Sequence, residues 1–338
     1  MSLANRLETL PLNSRVVLIG YNPKAGWSSS QGAISRLANA LSEQRLEPKL
    51  ETNVDQIVAE SARLAACGEL RVVVAAGGDG TAALFANRLG ANIPFAVYPL
   101  GTENLLAKHL EMPSDPEAFA LAVAAGKTVR LDAGLANDQL FLVVASCGFD
   151  AEVVRELHGQ RRGNISRFSY AWPIFRSIGR YRYPNMRIRV DGGEAFSARW
   201  AFVFNAPNYA LQLPITPDAT CFDGKLDLCS FRRGNLLNGL IYALGVILRQ
   251  HHKWKDTRLT RCDRLTIESD EPVPYQLDGD PGGVLPVEFK IAPSRLRVVV
   301  SEKWLQSQLA RVDSASANAP ASIPTPALAP LAIAASPR

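Results

Sequence analysis

At 338 residues the chain is longer than one ordinary compact core, so two domains are expected. A hydrophobic share of 47% with 20% charged residues excludes an intrinsically disordered chain. A net charge of +5 favours anionic partners, nucleotide phosphates or acidic membrane surfaces, but falls short of a dedicated nucleic-acid binder, and no nucleic acid is expected.

The amino terminus, "MSLANRLETLPLNS", has no continuous apolar core behind a basic start, which argues against a secretory signal. From Arg15 to about Arg130, short β-branched runs alternate with helical stretches. "RVVLIGYN" precedes "QGAISRLANALSEQ", "KLET" precedes "VDQIVAESARLAAC", "RVVVAA" precedes "TAALFANRLG", and "IPFAVYPL" precedes "NLLAKHL" and "PEAFALAVAAG". This alternation predicts an α/β fold with a doubly wound parallel sheet, and ligands in such sheets collect beyond the carboxyl ends of the strands.

After Leu131 the texture changes to alternating strands separated by Gly, Asp, Asn and Pro turns: "LFLVVASCGF", "MRIRVDGGEAFSARWAFVFNA", "KLDLCSF", "RLTIES" and "LPVEFKI". A largely antiparallel, β-rich second domain is predicted, interrupted by helices over roughly Ile165–Arg180 and Leu236–His251. The longest apolar stretch, Leu236 to Leu248, is short of the roughly 20 residues of a membrane-spanning helix. The expected division is a nucleotide-binding domain over 1–131, completed by a returning strand and helix at 294–312, a substrate domain over 132–293, and an Ala/Pro/Ser-rich disordered tail over 313–338. The five cysteines, Cys67, Cys147, Cys221, Cys229 and Cys262, form no C-x-x-C pair, which argues against disulfides or zinc and for a reducing, cytoplasmic compartment.

Residues 77–81, Gly77-Gly78-Asp79-Gly80-Thr81, lie where a strand gives way to a helix. Glycines there let backbone amides approach a phosphate, with the helix dipole behind them. Asp79 would repel a bare phosphate and becomes sensible if a divalent cation or ordered water lies between. A ligand-free Gly-Asp-Gly turn is the alternative. "YNPKAG" (Tyr21 to Gly26) follows the first strand and "PLGTENLLAKHL" (Pro99 to Leu110) the fourth, so three loops share one end of the sheet.

With these segments the chain resembles the diacylglycerol kinase catalytic-domain family, which includes sphingosine and ceramide kinases and bacterial lipid kinases. The resemblance runs to about residue 300 and rests on the ordered set "NPKAG", "GGDGT", "PLGTEN", "GFDAEV" (Gly148 to Val153), "ITPDATCFDGKLDL" and "LDGDPGG". "GGDGT" alone is shared with NAD kinases. The resemblance implies that Asn22, Pro23, Lys24, Ala25, Gly26, Thr52, Gly77, Gly78, Asp79, Gly80, Thr81 and Thr102, with Glu103 beside it, surround ATP. It implies that Asp280, at the end of "LDGD", deprotonates the acceptor hydroxyl, Asp79 completing the catalytic pair, and that Asp278 orients Asp280 or assists a metal. It also implies a structural magnesium ion held by the Asp223 carboxylate and the carbonyls of Thr220 and Lys225; an ordinary hairpin turn is the alternative for both Asp-Gly segments.

The chain departs from the family pattern at Glu103, where a small residue is usual, at Leu105, where a carboxylate is usual, and at Asp280, one methylene shorter than the usual acid. The segment after "GGDGT" lacks the usual Asn-Glu, and Asn87 lies too far along to replace that Asn. His109, His158, His251 and His252 show no metal spacing and are expected to be surface or packing residues. Phe168–Phe175, the apolar helix at Leu236–Leu248 and the basic-aromatic runs "RSIGRYRYPNMRIR" and "RQHHKWK" are candidates for contact with lipid or an anionic membrane surface.

The expected function is an ATP- and magnesium-dependent lipid kinase acting on diacylglycerol or a related amphiphile, cytoplasmic and peripheral at the inner membrane face, with a homodimer left open. A kinase of a soluble nucleotide resembling NAD kinase, and a non-catalytic nucleotide- or lipid-binding regulator, are the alternatives.

Overall fold

The computed structural model describes residues 3–22, 27–159, 181–207, 213 and 215–317. The predicted helix over Ile165–Arg180, the apolar run Phe168–Phe175 and the tail beyond 317 lie outside these residues.

The first half contains β1 (Leu7–Thr9), β2 (Val16–Tyr21), α1 (Trp27–Glu43), β3 (Glu47–Glu51), α2 (Val54–Ala66), β4 (Leu70–Gly77), α3 (Asp79–Arg88), β5 (Pro94–Pro99), α4 (Leu105–His109) and α5 (Pro116–Ala125). The strands β5-β4-β2-β3 lie in that order and are parallel. Their apolar runs are continuous because both faces are covered; Val72, Val73 and Val74 are wholly buried. From β2 the chain steps one way to β3 through α1, then back past β2 to β4 through α2, so right-handed crossovers put the two helices on opposite faces. α1 packs on α5. α2 and α3 share the other face, where a Cβ on Gly20 would come to 2.2 Å of the Phe85 ring in α3 and 2.8 Å of Ile57 in α2. A glycine in β2 thus lets α3 sit close on the sheet.

Helix boundaries follow from local chemistry. The Asn53 side chain accepts the Asp55 and Gln56 N–H groups to begin α2. Asp115 accepts the Ala118 N–H to begin α5, with Pro116 in its first turn and left-handed Gly126 ending it.

The second half contains β6 (Lys127–Ala136), β7 (Gln139–Phe141), β8 (Val144–Gly148), α6 (Phe149–Gly159), β9 (Met186–Val190), β10 (Phe196–Ala198), β11 (Trp200–Phe204), β12 (Leu226–Phe231), α7 (Leu236–Ile247), β13 (Thr257–Cys262), β14 (Arg264–Glu268), β15 (Pro274–Leu277), β16 (Asp280–Val284), β17 (Val287–Val299) and α8 (Glu302–Ala317). A separate antiparallel sheet has the order β13-β12-β11-β8-β15-β16. Its inner face packs against β7, β9, β14 and β17 through Phe141, Ile188, Val203, Leu228, Leu265 and Phe289.

The parallel sheet does not stop at the boundary between halves. The beginning of β17 pairs antiparallel with β14, and its end, at Arg297 and Val298, pairs parallel with β5. The result is one 11-stranded sheet that runs through both halves. Beyond it, α8 continues to Ala317, past Asp313 where the tail is expected to begin. Asp132 of β6 ties the junction together: its carboxylate accepts from Arg6 at 2.6 Å, the Ser294 N–H at 2.7 Å and the Gly224 N–H at 2.8 Å. Among the described residues no helix is long and apolar enough to cross a membrane.

Candidate active site

The strand order reverses direction between β2 and β4, and the crevice at that switch point is where open α/β sheets bind ligands. Asn22 follows β2, Thr52 follows β3, Gly77 ends β4 with Gly78 to Thr81 after it, and Thr102 and Glu103 follow β5, so these residues stand at one end of four adjacent parallel strands. Pro23, Lys24, Ala25 and Gly26 lie outside the described residues.

The loops after β4 and β5 touch backbone to backbone. A Cβ on Gly101 would come to 2.5 Å of Gly78 Cα, and one on Gly78 to 3.2 Å of Gly101 Cα, so each glycine is required by the other. Leu100 N–H donates to the Gly77 carbonyl at 3.0 Å. Asn104, in the left-handed region, closes its own turn: it accepts from Gly101 N–H at 3.0 Å and donates to the Gly101 carbonyl at 2.7 Å.

α3 begins at Gly78 without a side-chain cap, leaving its first amides directed at the switch point. Asp79, its first residue, turns away from them. Burial pushes the Asp79 carboxyl above its ordinary range, offset in part by the neighbouring backbone amides of Leu105, Leu106 and Asn104 and by Lys108. Asp79 therefore lies beside the start of α4 and the third loop. Leu105 brings its backbone amide to the same place, and its side chain is buried. Glu103 pairs with Lys108 at 3.6 Å.

The second half brings up its own turn. β15 and β16 are joined by the two residues Asp278 and Gly279, with φ of 51° and 87°, the left-handed pair of a tight hairpin. The Asp278 carboxylate is buried and accepts the Leu142, Val143 and Val144 N–H groups at 2.6, 2.9 and 3.0 Å. Burial nevertheless pushes its pKa up to about 6, with repulsion from Asp79 adding to the rise. Beneath the turn, Gln276 accepts the Gly279 N–H at 2.8 Å and donates to Ser146 Oγ at 3.0 Å; Ser146 in turn donates to Asp150 of α6.

This scaffold delivers Asp280 to the start of α3. Its Oδ2 is so close that a Cβ on Gly80 would lie 2.9 Å from it. His158 at the end of α6 stands 3.6 Å away, Nδ1 to Asp280 Oδ1. Asp79 and Asp280 thus flank one helix turn, contributed by opposite halves of the chain. The amides there suit an anion, and the half-exposed Asp280 carboxylate beside them can accept a proton from a hydroxyl.

The segment expected to hold a structural magnesium ion is occupied otherwise. Asp223 Oδ1 accepts the Lys225 N–H at 3.0 Å, and its Oδ2 pairs with the Arg261 guanidinium, which also reaches Asp227 Oδ1 at 3.4 Å. The positive charge at this place belongs to the chain itself. Thr220 and Lys225 bring no second carboxylate, and no group of three or more His, Cys, Asp or Glu able to hold a metal occurs among the described residues. These residues do not fit a magnesium site.

The sequence pattern assigns no role to Gln276, Ser146, Asp150 or Arg261, and His158, expected as a surface or packing residue, stands beside Asp280. Asp150 stands in the quoted "GFDAEV" segment, but its partners are set by the pairing of β15 with β8. His158 carries no local signal. Asn87 does not replace the missing Asn; it ties α3 to the second half, donating to Leu140 O at 3.1 Å and accepting from Leu140 N at 2.8 Å.

A family model for the diacylglycerol kinase catalytic domain matches residues 15–136, and one for the YegS C-terminal NAD kinase beta sandwich-like domain matches residues 143–300. The chain is 25% identical over 289 residues to a diacylglycerol kinase of Bacillus subtilis (strain 168), covering 84% of this chain and 95% of that protein. It is 24% identical over 300 residues to a diacylglycerol kinase of Staphylococcus aureus (strain Newman), covering 87% and 89%. The fold matches that of a diacylglycerol kinase of Bacillus anthracis str. Sterne with a TM-score of 0.60 at 18% identity, over 86% of this chain and 98% of that one.

Proposed function

The chain belongs to the diacylglycerol kinase catalytic-domain family of bacterial lipid kinases, and from that premise we propose that it transfers the γ-phosphoryl group of ATP to a hydroxyl of diacylglycerol or a closely related amphiphile. The observation that carries the proposal is Asp280 held against Gly80 at the amino-terminal turn of α3. It puts a proton acceptor beside a phosphate-binding helix start, which is what transfer to an alcohol requires.

The glycine cradle fits a polyphosphate: Gly78 and Gly101 leave no side chain between the two loops, and α3 offers uncapped amides. ATP, when bound, supplies the phosphoryl group. Amides of Gly78, Asp79 and Gly80 and the hydroxyls of Thr81 and Thr102 would hold it, with Asn22 and Thr52 at the neighbouring strand ends. Asp79 stands beside the amides of the third loop. Asp280 takes the proton from the acceptor hydroxyl as the oxygen attacks, and Asp278 and Gln276 fix the turn from which it projects. Magnesium, the second expected cofactor, is assigned no ligand on this chain. Because the acceptor resides in a bilayer, the protein acts peripherally, at the cytoplasmic face of the membrane.

The test is to incubate purified protein with labelled ATP, magnesium, a total lipid extract and, in a separate arm, NAD. Label in diacylglycerol or a similar lipid supports the proposal. Label in the dinucleotide alone, or in neither, overturns it.

A further inference from the structure

α7 is built inside out. Its aliphatic residues Leu237, Leu240, Ile241, Leu244, Ile247 and Leu248 are each 44–66% exposed and follow the helical spacing of a single broad face. Its opposite face is made of small or aromatic residues. A Cβ on Gly239 would lie 3.0 Å from the Trp200 ring and one on Gly245 2.1 Å from Trp254, so glycines let the helix settle onto two indoles. Tyr242 and Val246, both buried, complete that contact, with Tyr242 stacked on Phe231 at 4.3 Å between centroids. A helix anchored only through water-soluble packing would turn its leucines inward; this one is fixed by glycine and aromatic residues and presents its leucines to the outside.

The surroundings are predominantly basic. Arg232 and Arg233 precede α7, and Lys253 and Lys255 follow it. They border one concave surface together with Asn238, Ile241, Tyr242 and Trp254. The acidic residue there, Asp256, is engaged by the Tyr242 hydroxyl at 2.8 Å and by Arg233 at 3.4 Å.

We propose that α7 is a membrane-docking helix that lies in the plane of an anionic bilayer, its aliphatic face among the acyl chains and Arg232, Arg233, Lys253 and Lys255 at the phosphate level. The aliphatic face and the basic rim are complementary to the two layers that such a surface presents, apolar beneath and anionic above. At 12 residues the helix is too short to span and long enough to lie flat. It connects β12 to β13, at the edge of the antiparallel sheet opposite the β15–β16 hairpin that carries Asp280, so docking leaves the hairpin uncovered. The inference draws its purpose from the lipid-kinase reading, but its test uses no nucleotide, so either can fail alone.

The full chain is sedimented with vesicles containing phosphatidylglycerol or with vesicles of phosphatidylcholine alone, as wild type, as Leu240→Ser with Leu244→Ser, and as Arg232→Glu with Lys253→Glu. Wild type is expected to bind the phosphatidylglycerol vesicles and to weaken as salt rises. The leucine pair loses about a hundredfold in affinity, roughly tenfold for each half-buried side chain, with an unchanged thermal melt. The charge reversal abolishes the preference for phosphatidylglycerol. Absence of wild-type binding, or equal binding by wild type and the leucine pair, overturns the proposal. So does a wild-type dimer that the leucine pair dissociates while vesicle binding persists, which assigns the face to a second copy.

Discussion

Gly80 and Asp280 are in contact across the two halves of the chain: a Cβ on the glycine would lie 2.9 Å from the carboxylate oxygen Oδ2. The contact is tight, and its partner atom is the end of a short side chain that can rotate. Gly80→Ala is therefore expected to fold normally, because alanine suits a helix start at least as well as glycine. Displacing Asp280 by a few tenths of an ångström is expected to lower turnover by about tenfold or more. Parallel thermal melts and initial rates check this; a variant with wild-type turnover separates Asp280 from the chemistry.

Asp280→Asn removes the proton acceptor while keeping its shape. Turnover is expected to fall by about 10²–10⁴ with the Michaelis constant for ATP little changed, since the nucleotide cradle belongs to the other half. The half-exposed position predicts a melting temperature near that of wild type. Steady-state kinetics with the lipid identified above provide the measurement.

Asp79→Ala removes the carboxylate that stands beside the amides of Asn104, Leu105 and Leu106 at the start of α4. The expected cost is about 2–3 kcal/mol of stability, seen without nucleotide and equally with or without magnesium. Loss confined to magnesium-containing samples would instead make the carboxylate a metal ligand. Urea unfolding in both conditions decides between them.

Asp278 and Asp227 are both buried carboxyls pushed up to about 6, by desolvation first, with Asp79 and Asp218 respectively adding repulsion. Each folded-state pKa lies above the unfolded value, so the native state holds protons that the unfolded chain has released. Stability is greatest at the acid side of this window and declines as pH rises from about 4 through about 6, by up to about 3 kcal/mol for a fully buried group. The free energy of urea unfolding is expected to be larger near pH 5 than near pH 7. Asp278→Asn tolerates the left-handed backbone but sets an amide against three N–H donors; it is expected to be less stable by about 2–4 kcal/mol and to show a shallower pH dependence. A wild-type profile flat across this interval contradicts the assignment.

The fold class was readable because its signals are local. Unbroken Val runs announced buried parallel strands, and the glycine loops after "RVVVAA" and "IPFAVYPL" marked the end of the sheet where ligands gather. Asp-Gly at 278–279 announced a tight hairpin, and the family resemblance implies a role in the chemistry for the residue after it. What stayed hidden depends on tertiary pairing. Asp79 reads as facing a cation because nothing near it in sequence shows that the start of α4 packs beside it. Arg261 reaches Asp223 and Asp227 because β12 pairs with β13, and His158 reaches Asp280 because α6 packs against the β15–β16 hairpin. Which face of the helix at Leu236 turns inward is likewise set by glycines fitted to Trp200 and Trp254, a shape match that periodicity does not carry.

The path of β17 bears on how the protein is made. β5 acquires its outer neighbour only from Arg297 and Val298, and the wholly buried Trp304 closes the same core. A ribosome delivers these residues long after the loops of the nucleotide cradle have left the exit tunnel. The half synthesised first is therefore completed last, and until then its nascent sheet carries an open edge that chaperones, or the emerging second half, must shield.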